Sequence, residues 1–434
     1  MKHTKLTLWG LLALAIPSVI SQLLNNAFRI IDQYCIQWLG APAQAALGST
    51  SFILIAGFSM FMFIGGGIGP LVGRATGANQ PEARNRFIGQ SLRATVFVGI
   101  VYCFTLILSA PYMPDLVGLS GTSATMMTDY LRWLGYTGFF LAFGPVIDAI
   151  YISMGNTKFP MKLQLLATIT NACLNYFLIY TLNFGIAGAA IASGVSRGLA
   201  SVIGLYYLQR EFSPQWVGSS EIKRMVRIGN PIALGILSYA LVYWVLLKTS
   251  ISPLGEPVNA ALGIGFSALE GISWPIFAGI MLAASSLVSR QLGANDTEGL
   301  NQTLKLTFPT STILGLMISA IFYWGGETFC GFFTQDPIVL EQAVLYAQIL
   351  AFSQVFVSWE TLSEGILEGA GDTKTVLWFG MPFNLLRIPL SWFLAIYLGW
   401  GAFGVWWTIN ITTYIKALLK MWVVSRGKWR TLKI

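Results

Sequence analysis

The chain has 434 residues, of which 55% are hydrophobic and only 10% are charged, and its mean hydropathy is +0.66. A soluble domain carries about a quarter charged residues, so this inventory cannot coat a water-facing surface, whereas 45 Gly and 15 Trp suit helix packing and interfaces in lipid. The net charge of +8 does not point to nucleic acid, because the basic residues are spread along the chain and follow a membrane topology. Four scattered cysteines lack metal-ligand spacing and make no disulfide framework. The single histidine, His3, leaves no material for histidine-based catalysis or a histidine-built metal site.

The first residues, Met-Lys-His-Thr-Lys, could pass for the start of a secretory signal. The apolar run continues through Pro17 to Leu39, too far for a cleaved segment, and reads as a retained span. A helical span needs about 20 apolar residues. On that basis the sequence predicts spans at 8–38, 46–71, 88–111, 127–153, 160–182 and 186–209. After a polar stretch it predicts 226–251, 259–288, 303–324, 339–368, 375–397 and 401–424. β-Barrel strands would be about ten residues long with alternating polarity. The expectation is therefore an all-α integral membrane protein of twelve transmembrane helices.

Orientation follows from the Lys and Arg residues. Twenty-one of 26 fall in loops or span ends on one side, among them Lys2, Lys5, Arg74, Lys158, Lys374, Lys416 and Lys420. Arg29, Arg132, Arg197, Lys248 and Arg387 fall inside predicted spans. The positive-inside rule then puts both termini in the cytoplasm of a multi-pass plasma-membrane protein, in bacteria the inner membrane.

The halves repeat each other. VGRATGAN at 72–79 returns as VSRQLGAN at 288–295, and Gly155-Asn156-Thr157-Lys158 returns as Gly371-Asp372-Thr373-Lys374, each 216 residues later. Gly185 and Gly188 return as Gly401 and Gly404. An even number of spans per half makes the repeat parallel, with central sites expected near the midplane. This assigns 1–209 to an N-lobe of six helices, 210–225 to a cytoplasmic linker, and 226–434 to a C-lobe of six helices and a basic tail. Two matched lobes around a central cavity point to alternating access. No P-loop, Gly-x-Ser-x-Gly or His-Glu-x-x-His is present, so neither an enzyme nor an ATP-driven pump is expected.

The two loop motifs, Gly369-Ala370-Gly371-Asp372-Thr373-Lys374, Pro17 and Asp32 in the first span, and Gly185-Ile186-Ala187-Gly188-Ala189-Ala190 together resemble the multidrug and toxic compound extrusion (MATE) family over nearly the whole chain. The resemblance is closer to its DinF-type branch than to NorM. It implies cation-coupled export of small organic compounds, often cationic and amphipathic, by a protein whose other partner is membrane lipid, without other cofactors. It also implies that Asp32 takes the coupling cation, with Asn175 and Ser193 beside it. Two departures stand out. The DinF-type acid one turn after Asn175 is Ile179 here, which leaves the N-lobe proton site incomplete and puts its burden on Asp32, and Leu237-Ser238-Tyr239-Ala240-Leu241 lacks the glutamate of the NorM sodium site, which weakens the sodium reading. On balance a proton is favoured over sodium.

A carboxyl inside the membrane is a functional candidate by default. Asp32 follows Pro17, which frees a backbone carbonyl and permits a bend, making Pro17 the candidate hinge. Arg29, three residues before Asp32, offers the competing reading of a structural ion pair. Further candidates for cavity acids are Asp148, Glu270, Glu360 and Glu364, with Asp148 and Glu364 216 residues apart. Arg197 and Arg387 are the candidate charge partners of Asp148 and Glu364. Because these acids outnumber Arg29, Arg197 and Arg387, cationic cargo is expected. The glycines of the loop motifs are expected at left-handed positions just past helix ends. The alternatives are a flippase for a lipid-linked or polysaccharide precursor and, from another class, a non-transporting receptor or sensor.

Overall fold

The computed structural model describes residues 6–216 and 218–434, so Lys2, His3 and Lys5 lie outside the described residues. It is all-helical, with no strand among the described residues. The helices are α1 (Leu8–Ile36), α2 (Ala41–Gly77), α3 (Pro81–Ser109), α4 (Met113–Val117), α5 (Gly121–Thr137), α6 (Phe143–Ser153), α7 (Lys158–Asn175) and α8 (Gly185–Phe212). They continue as α9 (Ile222–Leu246), α10 (Glu256–Ile264), α11 (Gly271–Gly293), α12 (Thr297–Gly331), α13 (Pro337–Ala351), α14 (Gln354–Ala370), α15 (Thr373–Trp392) and α16 (Gly401–Arg426).

Ten stretches among the described residues are long and apolar enough to cross a membrane, and α13 with α14, bent by 59°, adds an eleventh when counted as one. The chain is a multi-pass membrane protein. The last predicted span, α16, is fully helical but not apolar enough to qualify. Its buried face carries Asn410, Thr412, Thr413, Lys416 and Lys420. Lys416 and Lys420 were expected at a cytoplasmic span end. The structure instead places them inside α16 at 6% and 0% exposure, where they carry no information about topology.

Helix ends recur in matched pairs. At the end of α2, Asn79 has φ 53°, Gln80 N donates to Ala75 O (2.9 Å), and Asn79 N donates to Thr76 O (3.1 Å). At the end of α11, Asn295 has φ 53°, with Asp296 N to Gln291 O (2.9 Å) and Asn295 N to Leu292 O (3.3 Å). Both are Schellman closures with a left-handed Asn at the turning position. This corrects the expectation for the motif glycines: Gly73 lies within α2, and Gly77 and Gly293 are the last helical residues. The left-handed turn falls on Asn, whose short polar side chain tolerates it. Gly155 (φ 88°) and Gly371 (φ 83°) do occupy left-handed positions, and each closes its helix with the same bond pair. Asn183 and Gly185 match Gly399 and Gly401 in the same way, each pair following a π-helical turn, at Tyr176–Thr181 and at Phe393–Tyr397.

The chain divides into two compact units, and the division falls within two helices. One unit is Ile20–Ala233; the other joins the described part of Met1–Val19 to Leu234–Ile434. Pro17 lies inside α1 and Pro231 inside α9, each just before its division. In the first unit, the start of α9 lies directly on α2. Gly229 faces the carbonyls of Met62 and Phe63, and Gly67 faces the Met225 backbone. Gln215 and Glu221 are held on α3, since Gln215 N donates to Asn85 O (3.1 Å) and Glu221 N donates to Gln90 Oε1 (2.9 Å). The core around Tyr102, Met127, Tyr130, Leu134, Ile179 and Ala189 joins α3, α5, the π-helical turn that follows α7, and α8. In the second unit, Gly279 of α11 faces the Ala15 carbonyl of α1 at 3.0 Å. Leu11 and Ala15 share a core with Ile280, Ala283, Leu362 and Ile366.

These approaches need a residue without a side chain. A Cβ on Gly67 would lie 2.6 Å from the Met225 carbonyl carbon, so Gly67→Val forces backbone apart. It is expected to cost about 1–3 kcal/mol, read as a lower melting temperature in detergent. Gly48 lies in the same helix with nothing within 4 Å of its Cβ position, and Gly48→Ala is expected to leave the melting temperature unchanged or raised.

Candidate functional site

The Ile20–Ala233 unit brings Asp32, Asn175 and Ser193 together. Asp32 sits on α1 at 6% exposure. Asn171 and Asn175, one turn apart on α7, both donate from Nδ2 to its Oδ1, at 2.9 and 2.7 Å. Ser193 Oγ, on α8, donates to Oδ2 at 2.7 Å. An ionised carboxylate is an acceptor only, so a shell made of donors matches its charged form. Asn171 and Asn175 are fully buried. Asn175 Nδ2 also donates to Asn171 Oδ1 at 3.2 Å, and Asn175 Oδ1 is buried without a partner among the described residues. Tyr130, buried on α5, lies beside Ser193. Sequence reasoning missed Asn171. Its signal was available: an Asn four residues before Asn175, on the same helix stripe.

The competing Arg29–Asp32 pair does not form. Arg29 is exposed and has no ion pair among the described residues. Arg197 reaches α1 instead. Its Nη2 donates to Asn25 Oδ1 at 2.9 Å, and its guanidinium lies over the Phe28 ring, 4.2 Å from the centroid. Asp148, half-buried on α6, has no hydrogen bond or ion pair among the described residues. Its expected salt bridge with Arg197 is therefore absent among the described residues.

In the other unit the acids divide between two groups. Glu270, half-buried where a π-helical turn Gly265–Glu270 meets α11, accepts from the Tyr346 hydroxyl. Arg387, 3% exposed on α15, donates to Thr412 Oγ1 (2.9 Å), Thr413 Oγ1 (3.2 Å) and the Tyr243 hydroxyl (3.4 Å). The structure does not make it the partner of Glu364. Glu360 and Glu364 are paired with lysines: Lys416 Nζ lies 2.9 Å and Lys420 Nζ 2.8 Å from Glu360 Oε1. Lys420 also bonds Glu364, and Lys416 donates to Asn384 Oδ1 at 3.0 Å. The expected surplus of acids omitted Lys416 and Lys420; counting them, and leaving out the exposed Arg29, cuts it to one. The signal was again spacing, because 360/364 on α14 and 416/420 on α16 are both one helix turn apart and can interdigitate. Of the aromatics, Tyr151 is buried with its hydroxyl on Glu211 Oε2 (3.2 Å), whereas Tyr34, Tyr136 and Trp274 are exposed.

Removing one member of a buried ion pair strands the other charge, at a cost of about 3–5 kcal/mol. Glu360→Gln leaves Lys416 without a carboxylate and Lys420 with only Glu364, and is expected to lower the detergent melting temperature sharply. Glu364→Gln, at the more exposed position, is expected to have the smaller effect in the same measurement.

The chain is 24% identical to a probable multidrug resistance protein NorM of Thermotoga maritima, covering 96% of this chain and 92% of that protein. It is 21% identical to a probable multidrug resistance protein YoeA of Bacillus subtilis, covering 93% and 91%. Its fold matches a MOP superfamily transporter of Pyrococcus furiosus, described as having a binding pocket of reverse polarity, with a TM-score of 0.91 at 20% identity over all of both chains. The MatE family profile matches residues 17–177 and again 231–393. With most of the sequence covered by that double match, the chain belongs to the MatE family, whose members are membrane transporters and not enzymes.

Proposed function

We propose that this protein is a cation-coupled antiporter that exports organic, cationic or amphipathic compounds by alternating access, with a proton favoured over sodium. The observation that carries this reading is the buried Asp32 carboxylate with its three donors on α7 and α8. Inside a membrane such a carboxylate is costly, and it sits on a helix that carries Pro17 and is shared between the two units. The relatives' names, multidrug resistance proteins, support multidrug efflux. The matched helix ends support two parallel six-helix repeats, with α16 as the twelfth span and its polar face turned into protein. Both termini then face the cytoplasm. The lobes would be 1–209 and 226–434, and no cofactor or ATP would be needed beyond the coupling ion.

The donors around Asp32 support the preference for a proton. A sodium ion is held by oxygen ligands, whereas Asn171 and Asn175 present amide N–H groups to Asp32. A proton on Asp32 turns the carboxyl into a donor. Rotation of the Asn175 amide would then bring its unpartnered Oδ1 to accept it. The missing span-seven glutamate agrees, and it also favours the DinF-type branch. Because Lys416 and Lys420 neutralise Glu360 and Glu364, a preference for cationic cargo rests on Asp148 and Glu270. The same lysines, with Arg387, weaken the charge argument against the second reading, a flippase for an anionic lipid-linked precursor.

Proteoliposomes loaded with a fluorescent organic cation and given either a pH gradient or a sodium gradient separate these readings. Efflux driven by pH alone supports a proton at Asp32, and a requirement for sodium moves coupling toward Glu270 and the α14 acids. Response to neither favours the flippase. Asp32→Asn is expected to lower cation-driven efflux at least about 10-fold, in line with loss of an essential proton-transfer group; a wild-type rate in this variant overturns the assignment.

A further inference from the structure

We infer that Arg387 and Tyr243 form a carboxylate-binding site, and that the cargo of this protein includes aromatic compounds that carry an acid group, as free acids or as zwitterions. This rests on the reading of the protein as an exporter of organic compounds and narrows its substrate class. Arg387 is 3% exposed on α15. A guanidinium keeps its charge inside a protein, and a buried charge is costly unless it is paired. Arg387 nevertheless makes no ion pair among the described residues. The acids of its unit are engaged elsewhere: Glu360 with Lys416 and Lys420, Glu364 with Lys420, and Glu270 with the Tyr346 hydroxyl. What holds Arg387 is neutral. Nε donates to Thr412 Oγ1 at 2.9 Å, Nη2 to Thr413 Oγ1 at 3.2 Å, and Nη1 to the Tyr243 hydroxyl at 3.4 Å. These bonds use three of the five N–H groups of a guanidinium, which leaves one on Nη1 and one on Nη2.

Tyr243 points to the same kind of ligand. It is 5% exposed, and its hydroxyl oxygen receives Arg387 and, one turn earlier on α9, the Tyr239 hydroxyl. A hydroxyl that accepts still has its own proton to give, and no hydrogen bond among the described residues takes the one on Tyr243. Thr412, by contrast, gives its proton to Thr408 O at 2.9 Å. Two N–H groups and one O–H, on two residues already bonded to each other, thus share the need for an acceptor, beside a positive charge that nothing offsets. A carboxylate meets both needs, since it is an acceptor only, carries the opposite charge, and takes two parallel bonds from a guanidinium. The surroundings suit a flat apolar body. The Tyr239 ring, 39% exposed, lies 4.7 Å from the Tyr243 ring, and Phe266 meets Tyr243 edge-on at 5.3 Å. The guanidinium carbon lies 5.9 Å from the Tyr243 centroid. An aromatic row therefore leads from an exposed ring to the buried cation, and aromatic ligands pack well on such rings.

The test is equilibrium binding of two probes to the whole chain in detergent at neutral pH: a rhodamine with a free carboxyl group, and its methyl ester, both read by fluorescence anisotropy. The ratio of their dissociation constants decides, because a change that only loosens the helices moves both together. Arg387→Gln is expected to weaken binding of the acid at least about 10-fold, the usual effect of losing hydrogen bonds to a charged group, and to leave the ester unchanged. Arg387→Lys keeps the charge without the planar fork and is expected to fall between wild type and Arg387→Gln. Tyr243→Phe keeps the ring and is expected to weaken the acid alone, by about fivefold. Benzoate is expected to displace the acid probe; displacement by pyrophosphate and not by benzoate overturns the carboxylate assignment. A ratio that stays at the wild-type value in Arg387→Gln, whether both probes weaken equally or neither does, makes Arg387 a tether between helices and overturns the inference. If Arg387→Gln does not fold, the ratio for Tyr243→Phe decides alone. Binding does not depend on coupling, so an acid probe that binds through Arg387 yet is not exported from proteoliposomes supports the site and overturns the exporter reading.

Discussion

A carboxylate taken out of water must find its hydrogen bonds within the protein, and in the Ile20–Ala233 unit that demand falls on Asp32. Its donors come from two other helices, so α1, α7 and α8 meet around one charge. Desolvation therefore links the chemistry to the packing. The same group that gathers the donors also joins the three helices through its hydrogen bonds.

The other unit handles buried charge differently. Glu360, Glu364, Lys416 and Lys420 pair directly, so α14 and α16 carry four charges that cancel. Such pairing explains how α16 falls short in apolarity and still forms a long helix: its polar face is matched by acids from a neighbour and not by lipid. Arg387 is solvated by hydroxyls of Thr412, Thr413 and Tyr243, and Glu270 by the Tyr346 hydroxyl. Neutral groups thus hold charge apart in one cluster while direct ion pairs quench it in the next. Only the first kind of arrangement leaves a charge available to respond to a bound cation.

Both units share a further device. The helices that pass between them, α1 and α9, carry Pro17 and Pro231 close to the division. A proline inside a helix leaves the carbonyl four residues earlier without its usual donor, and α1 and α9 each carry one beside the division. In α1 the proline precedes Asp32 by 15 residues, or about four helical turns of one helix.

Apolar runs of span length, the repeated loops, Pro17 and the buried acid of the first span are local properties, and the sequence by itself determined them. Hydrophobic period and turn chemistry need no knowledge of what lies opposite. Asn175 and Ser193 were legible only through the family resemblance, and Asn171 was legible in principle as a second Asn on the same stripe. Pairing was not legible. Arg29 lies nearest to Asp32 in sequence but is exposed, whereas Arg197 reaches the Asp32 face of α1 from 165 residues away. Lys416 and Lys420 look like span-end charges until α14 places two glutamates against them. The tertiary structure alone decided which charges are quenched and which stay poised, because the energy of a buried charge depends on the groups within a few ångströms of it, and those come from other helices.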